Sequence, residues 1–426
     1  MQSLGETHRK LWMAKATDTY NSCRWTNEVI YKFILVVKYK LRDYQTEASK
    51  RAVEFFLDEK KKWNAIEVLC TAAGKSLIIA DIAAKLNEKV LVFSPTKEIL
   101  EQNYKKYCSY GLDNAGIYSA SFNSREVKDV TFATIGSVKG HPELFQDFRY
   151  IICDECHLIK TEGGMYKNFF KALRCKILGL TATPYRLYSY QNYGSMLKFL
   201  TRSRDKIFQE VIYYVQVKYM ADNGYICVPN YYKCPPPQWD EGNLQLNTTC
   251  RDYTDKSVIN EYERVDMYGW LVNVVKRLLH PKSGVPRKGI LVFTKFVKEA
   301  ERLTYSLPNC EMVSGETPAK ERDAIIERFR RGQTKVLVNS MVLTVGFDYP
   351  ALDTVVMARP TRSLAQYYQI VGRLLRLSKG KQPWYVDLCG NYDRFGKVED
   401  LEMVDQNGRG KWVIMSGNKQ LTNKFF

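Results

Sequence analysis

The chain holds 426 residues, more than one ordinary core accommodates, which points to two domains with appendages. Hydrophobic residues make up 45% of it, which excludes a disordered chain, and 64 Lys+Arg against 46 Asp+Glu leave a formal charge of +18 that calls for a polyanionic partner. Nucleic acid is the leading candidate and an acidic membrane surface the second, and the basic balance alone does not decide between them; separately, the longest apolar run near the start, Phe33-Ile34-Leu35-Val36-Val37, is far too short to span a bilayer and no signal peptide is apparent.

Eleven cysteines without framework spacing read as reduced thiols of a cytoplasmic protein. The CxxC at Cys153 and Cys156 is half a zinc site with no second pair to complete it.

Residues 1–40 form an N-terminal extension in which only a short helix around His8 to Ala16 can be read. Leu41-Arg42-Asp43-Tyr44-Gln45 then opens a predicted helix through Leu57, whose Ala48, Ala52, Phe55 and Phe56 follow a helical stripe. The Gln45 amide can pair with an adenine edge through N6 and N7, or it can simply cap the helix; both readings stand, with Arg42 and Gln45 as nucleotide-binding candidates.

Ala65 to Leu69 reads as a buried strand and Leu77 to Leu86 as a helix. Between them lies Cys70-Thr71-Ala72-Ala73-Gly74-Lys75-Ser76, a small-residue loop entering a helix N-terminus, where backbone amides point at an anion. Lys75 adds charge for the β- and γ-phosphates of ATP, and the Ser76 hydroxyl can reach Mg²⁺. Leu69 and Ala72 depart from the usual GxxxxGK[ST] pattern, so an ordinary tight turn is the alternative for the loop alone.

Apolar runs at Val90–Phe93, Val130–Thr134, Tyr150–Cys153 and Ile177–Leu180, alternating with helical or loop segments, predict parallel strands joined by right-handed crossovers. Ligand sites in such sheets form at the carboxyl edge. The third run delivers Asp154-Glu155-Cys156-His157 there. Asp154 suits a Mg²⁺ ion, and Glu155 suits a water that attacks a phosphate, since phosphoryl transfer needs positioning and charge neutralisation more than covalent help.

With these residues in order, the chain resembles superfamily 2 nucleic-acid helicases and translocases of the DEAD/DEAH-like type, with a DECH box, over roughly residues 41–376. Pro95-Thr96-Lys97-Glu98-Ile99-Leu100-Glu101-Gln102, Thr134-Ile135-Gly136-Ser137 and Leu180-Thr181-Ala182-Thr183-Pro184 carry the match as well. The resemblance implies that Pro95, Thr96, Thr134, Thr294 and Thr344 line a nucleic-acid track, and that His157, Thr181, Ala182 and Thr183 couple hydrolysis to movement.

From Tyr185 to about Glu263 the pattern loosens into Tyr-rich, basic sequence broken at Cys234-Pro235-Pro236-Pro237, read as a linker with elaboration over 211–264 whose tyrosines serve interdomain packing, with stacking on single-stranded nucleic acid as the alternative. Strands at Gly289–Thr294, Glu311–Val313, Lys335–Asn339, Thr354–Met357 and Trp384–Leu388 predict a second parallel sheet without a phosphate loop. Its candidates, similar to the family's fifth and sixth motifs, are Gly346 and Asp348 in Thr344-Val345-Gly346-Phe347-Asp348, and Gln369, Arg373 and Arg376 in Gln369-Ile370-Val371-Gly372-Arg373-Leu374-Leu375-Arg376. Three apart on a helix, the two arginines share a face, and one can serve as an arginine finger.

The expectation is therefore an α/β protein with two tandem RecA-like domains, 41–210 and 265–400, each a mostly parallel sheet flanked by helices, followed by a tail at 401–426. ATP and Mg²⁺ bind in the cleft between the domains. The expected activity is that of a monomeric ATP-dependent helicase or translocase on forked or branched DNA, similar to branch-migrating phage helicases and restriction translocases. A bacterial or phage-infected cell suits it, with a nucleus not excluded. A duplex translocase that never separates strands, an RNA helicase and a non-catalytic clamp are the rivals.

Overall fold

The computed structural model describes residues 40–160, 164–190, 194–340 and 349–425. The helix expected at His8 to Ala16, the run at Phe33–Val37 and the candidates Thr344, Gly346 and Asp348 lie outside the described residues.

The first lobe opens with α1 (Asp43–Leu57), which buries Tyr44, Ala48, Ala52, Phe55 and Phe56 along one stripe. It continues through β1 (Ala65–Leu69), α2 (Lys75–Leu86), β2 (Val90–Phe93), α3 (Lys97–Cys108), β3 (Ala115–Ser119), β4 (Ser124–Arg125), β5 (Val130–Ala133), β6 (Tyr150–Asp154) and β7 (Lys176–Thr181). A hairpin, β8 (Tyr185–Tyr190) with β9 (Gly194–Phe199), follows directly, and then β10 (Glu210–Val215). The sheet order is β10-β1-β7-β6-β2-β5-β3-β4, parallel except for the short β3–β4 pair at one edge. Its central strands β1, β2, β5 and β6 are buried along their whole length, as expected of parallel strands covered on both faces, which is why they read as unbroken apolar runs.

The second lobe begins with β11 (Asn230–Lys233) and two packed helices, α4 (Asp255–Arg264) and α5 (Met267–Leu279). Then come β12 (Ile290–Thr294), α6 (Val297–Ser306), β13 (Cys310–Val313), β14 (Val336–Ser340), β15 (Thr354–Ala358), α7 (Leu364–Val371) and β16 (Trp384–Asp387). Its sheet, β11-β16-β15-β12-β14-β13, is parallel throughout.

Three readings need correction. The segment 211–264 is not a free linker: β10 closes one edge of the first sheet, β11 closes one edge of the second, and α4 packs into the second lobe's core. The two arginines of the sixth motif are not on a helix, because α7 stops at Val371. Residues 401–425 are not an extended tail but an antiparallel meander, β17 (Leu401–Asp405), β18 (Trp412–Ser416) and β19 (Lys419–Gln420). The meander docks on the first lobe, where Gln216 and Met403 exchange two hydrogen bonds of 2.9 and 3.1 Å and the Trp412 ring packs on Tyr214 at 5.2 Å, and it also reaches the second, where Lys419 Nζ donates to the Arg394 carbonyl at 3.0 Å.

Candidate active site

The loop after β1 owes its shape to two left-handed residues, Ala72 (φ +67°) and Gly74 (φ +76°). At Gly74 the requirement is double, since a Cβ there would also lie 2.6 Å from Gln45 Nε2. Ala72 holds its conformation without glycine at a cost of about 1 kcal/mol. The position usually taken by the motif's first glycine falls on Leu69, the last residue of β1 and fully buried, so a large apolar side chain fits there.

From α1, the Tyr44 hydroxyl and the Gln45 amide both donate to the Ala73 carbonyl, at 3.1 and 2.9 Å. Gln45 Oε1 accepts the Arg42 N–H at 2.9 Å. Gln45 thus caps the helix with one lone pair, holds the phosphate loop with one amide hydrogen, and has a second hydrogen and a second lone pair for a ligand.

Lys75 lies on the carboxylates delivered by β6, with Nζ 2.9 Å from Glu155 Oε1. Burial works against ionising both acids. Asp154, with Glu155 beside it, is raised above the usual carboxylate range. Glu155 feels the same burial but is lowered, because Lys75 and His157 lie against it. Burial also opposes the charge on Lys75, and the two carboxylates outweigh it and raise the amine. The pair is held ionised. Asp154 accepts the Glu155 N–H at 2.9 Å and the Asn103 amide at 3.0 Å, and Asn103 also reaches Ser94 Oγ at 3.1 Å.

His157 Nδ1 sits 3.3 Å from Glu155 Oε2 and 2.9 Å from Thr181 Oγ1, while its Nε2 lies 3.1 Å from the Gln369 amide nitrogen of the second lobe. With Gln369 donating, Nε2 accepts, and Nδ1 carries a ring proton facing Glu155 and Thr181. Thr181 Oγ1 also accepts the Thr183 N–H at 3.0 Å, and Ala182 and Thr183 are buried beside it. The carboxylate pair, the Thr-Ala-Thr turn and the second lobe are therefore joined through one imidazole.

The Gly372–Arg376 stretch, past the end of α7, runs through successive i to i−3 hydrogen bonds, Arg373 to Ile370, Leu374 to Val371 and Leu375 to Gly372. In such tight turns residues three apart still fall on one side, so the spacing survives the loss of the helix. Gly372 packs on the phosphate loop so closely that a Cβ would lie 2.4 Å from Thr71 Oγ1. Arg373 is buried and Arg376 partly exposed.

Of the expected track residues, Pro95 and Thr96 follow β2 and Thr134 follows β5, all partly exposed at the carboxyl edge of the first sheet. Thr96 caps α3, accepting the Ile99 N–H at 3.4 Å, and Thr134 Oγ1 lies 3.0 Å from Ser137 Oγ. Thr294 differs: it is buried and its hydroxyl donates to the Phe296 carbonyl at 3.2 Å, so its side chain does not reach a surface.

Asn103 and Gly372 were not singled out in the sequence. Asn103 carried a signal, being an asparagine among the buried positions Ile99, Leu100 and Tyr107 of α3. Gly372 carried none beyond its neighbours, because its role lies in a contact made across the lobes.

Ser76 follows Lys75 at the start of α2 and Asp154 ends β6 near the Lys75 amine, and a hydroxyl with a carboxylate is a donor set that suits a hard divalent cation. Among the described residues, the buried Glu155 Oε2 has His157 Nδ1 at 3.3 Å as its neighbour and makes no shorter hydrogen bond, which leaves it able to accept from a ligand.

Two family models match the chain: the type III restriction enzyme res subunit over residues 38–186 and the helicase conserved C-terminal domain over residues 270–378. A 51.5 kDa protein of Lactococcus phage (isolate 7-9) is 24% identical over 76% of this chain, which spans 65% of that relative. The DNA 3'-5' translocase XPB2 of Sulfurisphaera tokodaii is 25% identical over 82% of both chains. Among solved structures, the ATP-dependent type ISP restriction-modification enzyme LlaBIII bound to DNA superposes with a TM-score of 0.62 at 18% identity, over 82% of this chain and 28% of that one. Dbp5 of S. cerevisiae, bound to RNA and ADP BeF3, superposes with a TM-score of 0.56 at 16% identity, over 86% and 88%. At these identities the structural likeness establishes the shared tandem RecA-like fold.

Proposed function

Because the chain belongs to the superfamily 2 helicases and translocases, enzymes that hydrolyse ATP, we propose that it is a DNA motor that turns over ATP between its lobes to unwind or remodel forked or branched DNA. The observation that carries this reading is the joining of the ionised Lys75–Glu155 pair to the second lobe through His157 and Gln369.

In this reading the loop amides and Lys75 hold the β- and γ-phosphates. Ser76 and Asp154 hold Mg²⁺, which when bound offsets phosphate charge. Glu155 then exchanges its contact with Lys75 for the attacking water and accepts its proton. Arg373 and Arg376, carried by a turn seated on Thr71, supply positive charge to the transferring phosphate only when the lobes are closed. Loss of the γ-phosphate changes what Glu155 contacts. His157 passes that change to Thr181 on one side and Gln369 on the other. Pro95, Thr96 and Thr134 lie at the carboxyl edge where a strand crosses the first lobe, and the excess positive charge favours the polyanion.

The test compares ATP-driven unwinding of forked DNA, a four-way junction and an RNA duplex, with ATPase rates measured alongside. DNA-stimulated hydrolysis with separation of forked or junction DNA is the expected result. Stimulation by duplex DNA without separation would assign a pure translocase, preference for the RNA duplex an RNA helicase, and absence of hydrolysis a non-catalytic clamp.

A further inference from the structure

Arg42 opens the helix that pins the phosphate loop, and a segment far along the chain holds it from the other side. Its Nη1 donates to the Tyr225 carbonyl at 3.3 Å, and its guanidinium carbon lies 4.7 Å from the centre of the Tyr225 ring. Tyr225 is fixed in turn. Its hydroxyl donates to Asp43 Oδ1 at 3.1 Å, its ring packs on Tyr44 at 5.4 Å, and its N–H donates to the Met220 carbonyl at 2.8 Å. Tyr44, Gln45 and Arg42 therefore form one unit, bonded to Ala73 of the phosphate loop on one side and braced by Tyr225 on the other.

We propose that Tyr225 is a positioning residue for nucleotide base selection, acting through Arg42. A guanidinium held over one aromatic ring leaves its opposite side for a second planar group, and the base of a nucleotide bound at the loop is such a group. Gln45, with one amide hydrogen and one lone pair still unused, offers the donor and acceptor that an adenine edge requires and a guanine edge does not match. The brace keeps the guanidinium from swinging out into solvent when the site is empty, so base binding does not have to order it. The inference rests on the reading that ATP binds at this loop.

The test is steady-state hydrolysis of ATP and GTP by the full chain with saturating DNA, together with equilibrium binding of each nucleotide. Tyr225→Leu keeps an apolar side chain and the backbone carbonyl but removes the aromatic face together with the hydroxyl bond to Asp43. It should raise KM and Kd for ATP roughly tenfold and lower the ATP-to-GTP preference to match, with kcat within about twofold. Tyr225→Phe keeps the face and should behave as the wild type. In an Arg42→Ala background, Tyr225→Leu should add nothing.

A wild type that binds both nucleotides alike, a Tyr225→Leu variant that weakens them equally, or an undiminished effect without Arg42 would each overturn the proposal. The binding measurement separates this failure from that of the motor reading: a chain that selects ATP through Tyr225 without hydrolysing it would leave the inference standing and remove the enzyme.

Discussion

Glu155 decides most of the chemistry at the level of single residues. It follows β6 in a left-handed conformation (φ +49°) and is ionised against Lys75 within a buried cluster. Glu155→Gln keeps the shape but cannot accept a proton, so kcat should fall by about 10²-fold or more while ATP affinity holds. Near-normal turnover would remove Glu155 from the mechanism. Lys75→Ala acts earlier: ATP hydrolysis should be abolished while DNA binding in a filter or anisotropy assay is retained, because the track residues lie elsewhere. Parallel loss of both would indicate misfolding or a wrong assignment. Lys75, Asp154 and Glu155 could be singled out from sequence because a strand ending in a small-residue loop before a helix and a strand ending in two carboxylates are readable patterns, and their chemistry is intrinsic to the side chain. Asn103 and the brace at Tyr225 were not, because their meaning lies in partners distant along the chain.

Among the elements, the turn after α7 holds the site's second half, and its fit to the phosphate loop yields a test away from any charged group. Gly372→Ala would drive a methyl into Thr71, so the turn must lift and carry Arg373 and Arg376 away from the loop. ATPase activity should fall toward the level of Arg376→Ala, about 10³-fold down, with the melting profile little changed. An active Gly372→Ala enzyme would mean that the lobes do not close as this contact requires.

A second element-level expectation concerns α6, where Glu299 accepts the Phe296 N–H at the helix start. Burial pushes its carboxyl up to about 7. A carboxylate raised in the folded state binds protons more tightly there than when unfolded, so it costs stability as pH rises from about 4.5 through about 7. Glu299→Gln should therefore melt higher than the wild type at pH 8, and the gain should vanish toward pH 4.5. A gain independent of pH would contradict this assignment. Most strands of both sheets were visible in advance as apolar runs, though β3 and β4 were not read. β10 and β11 were not, because as partly exposed edge strands rich in tyrosine they lack that signature. The end of α7 was missed because Gly372 and the arginines extend its apparent period.

Taken whole, the molecule is two lobes whose chain passes from the first to the second through 216–229 and returns through 396–400 to dock its last strands on the first. Leu401, Met403, Ile414 and Leu421 are buried in the core shared with Val68, Tyr185 and Val215. Ending the chain after Asp400 should lower the melting temperature of the first lobe by roughly 5 °C or more and promote aggregation, as a thermal scan with light scattering would record. An unchanged profile would show that the meander contributes nothing to that core. Composition had announced two domains, but a sequence that alternates exposed and buried residues over only a few positions gave no warning that its end folds back.

The two passages between lobes also lie side by side. Gln216, where the first departs, is bonded to Met403, where the second arrives, and Tyr231 at the far end is bonded to Val398 and Glu399. A single connecting strand would act as a swivel and let one lobe roll on the other. Two strands riveted together at both ends behave as the spine of a book: they flex in one plane and resist torsion. In the proposed motor, each cycle of ATP would then turn the lobes about one axis, setting the direction of the stroke before any DNA is bound.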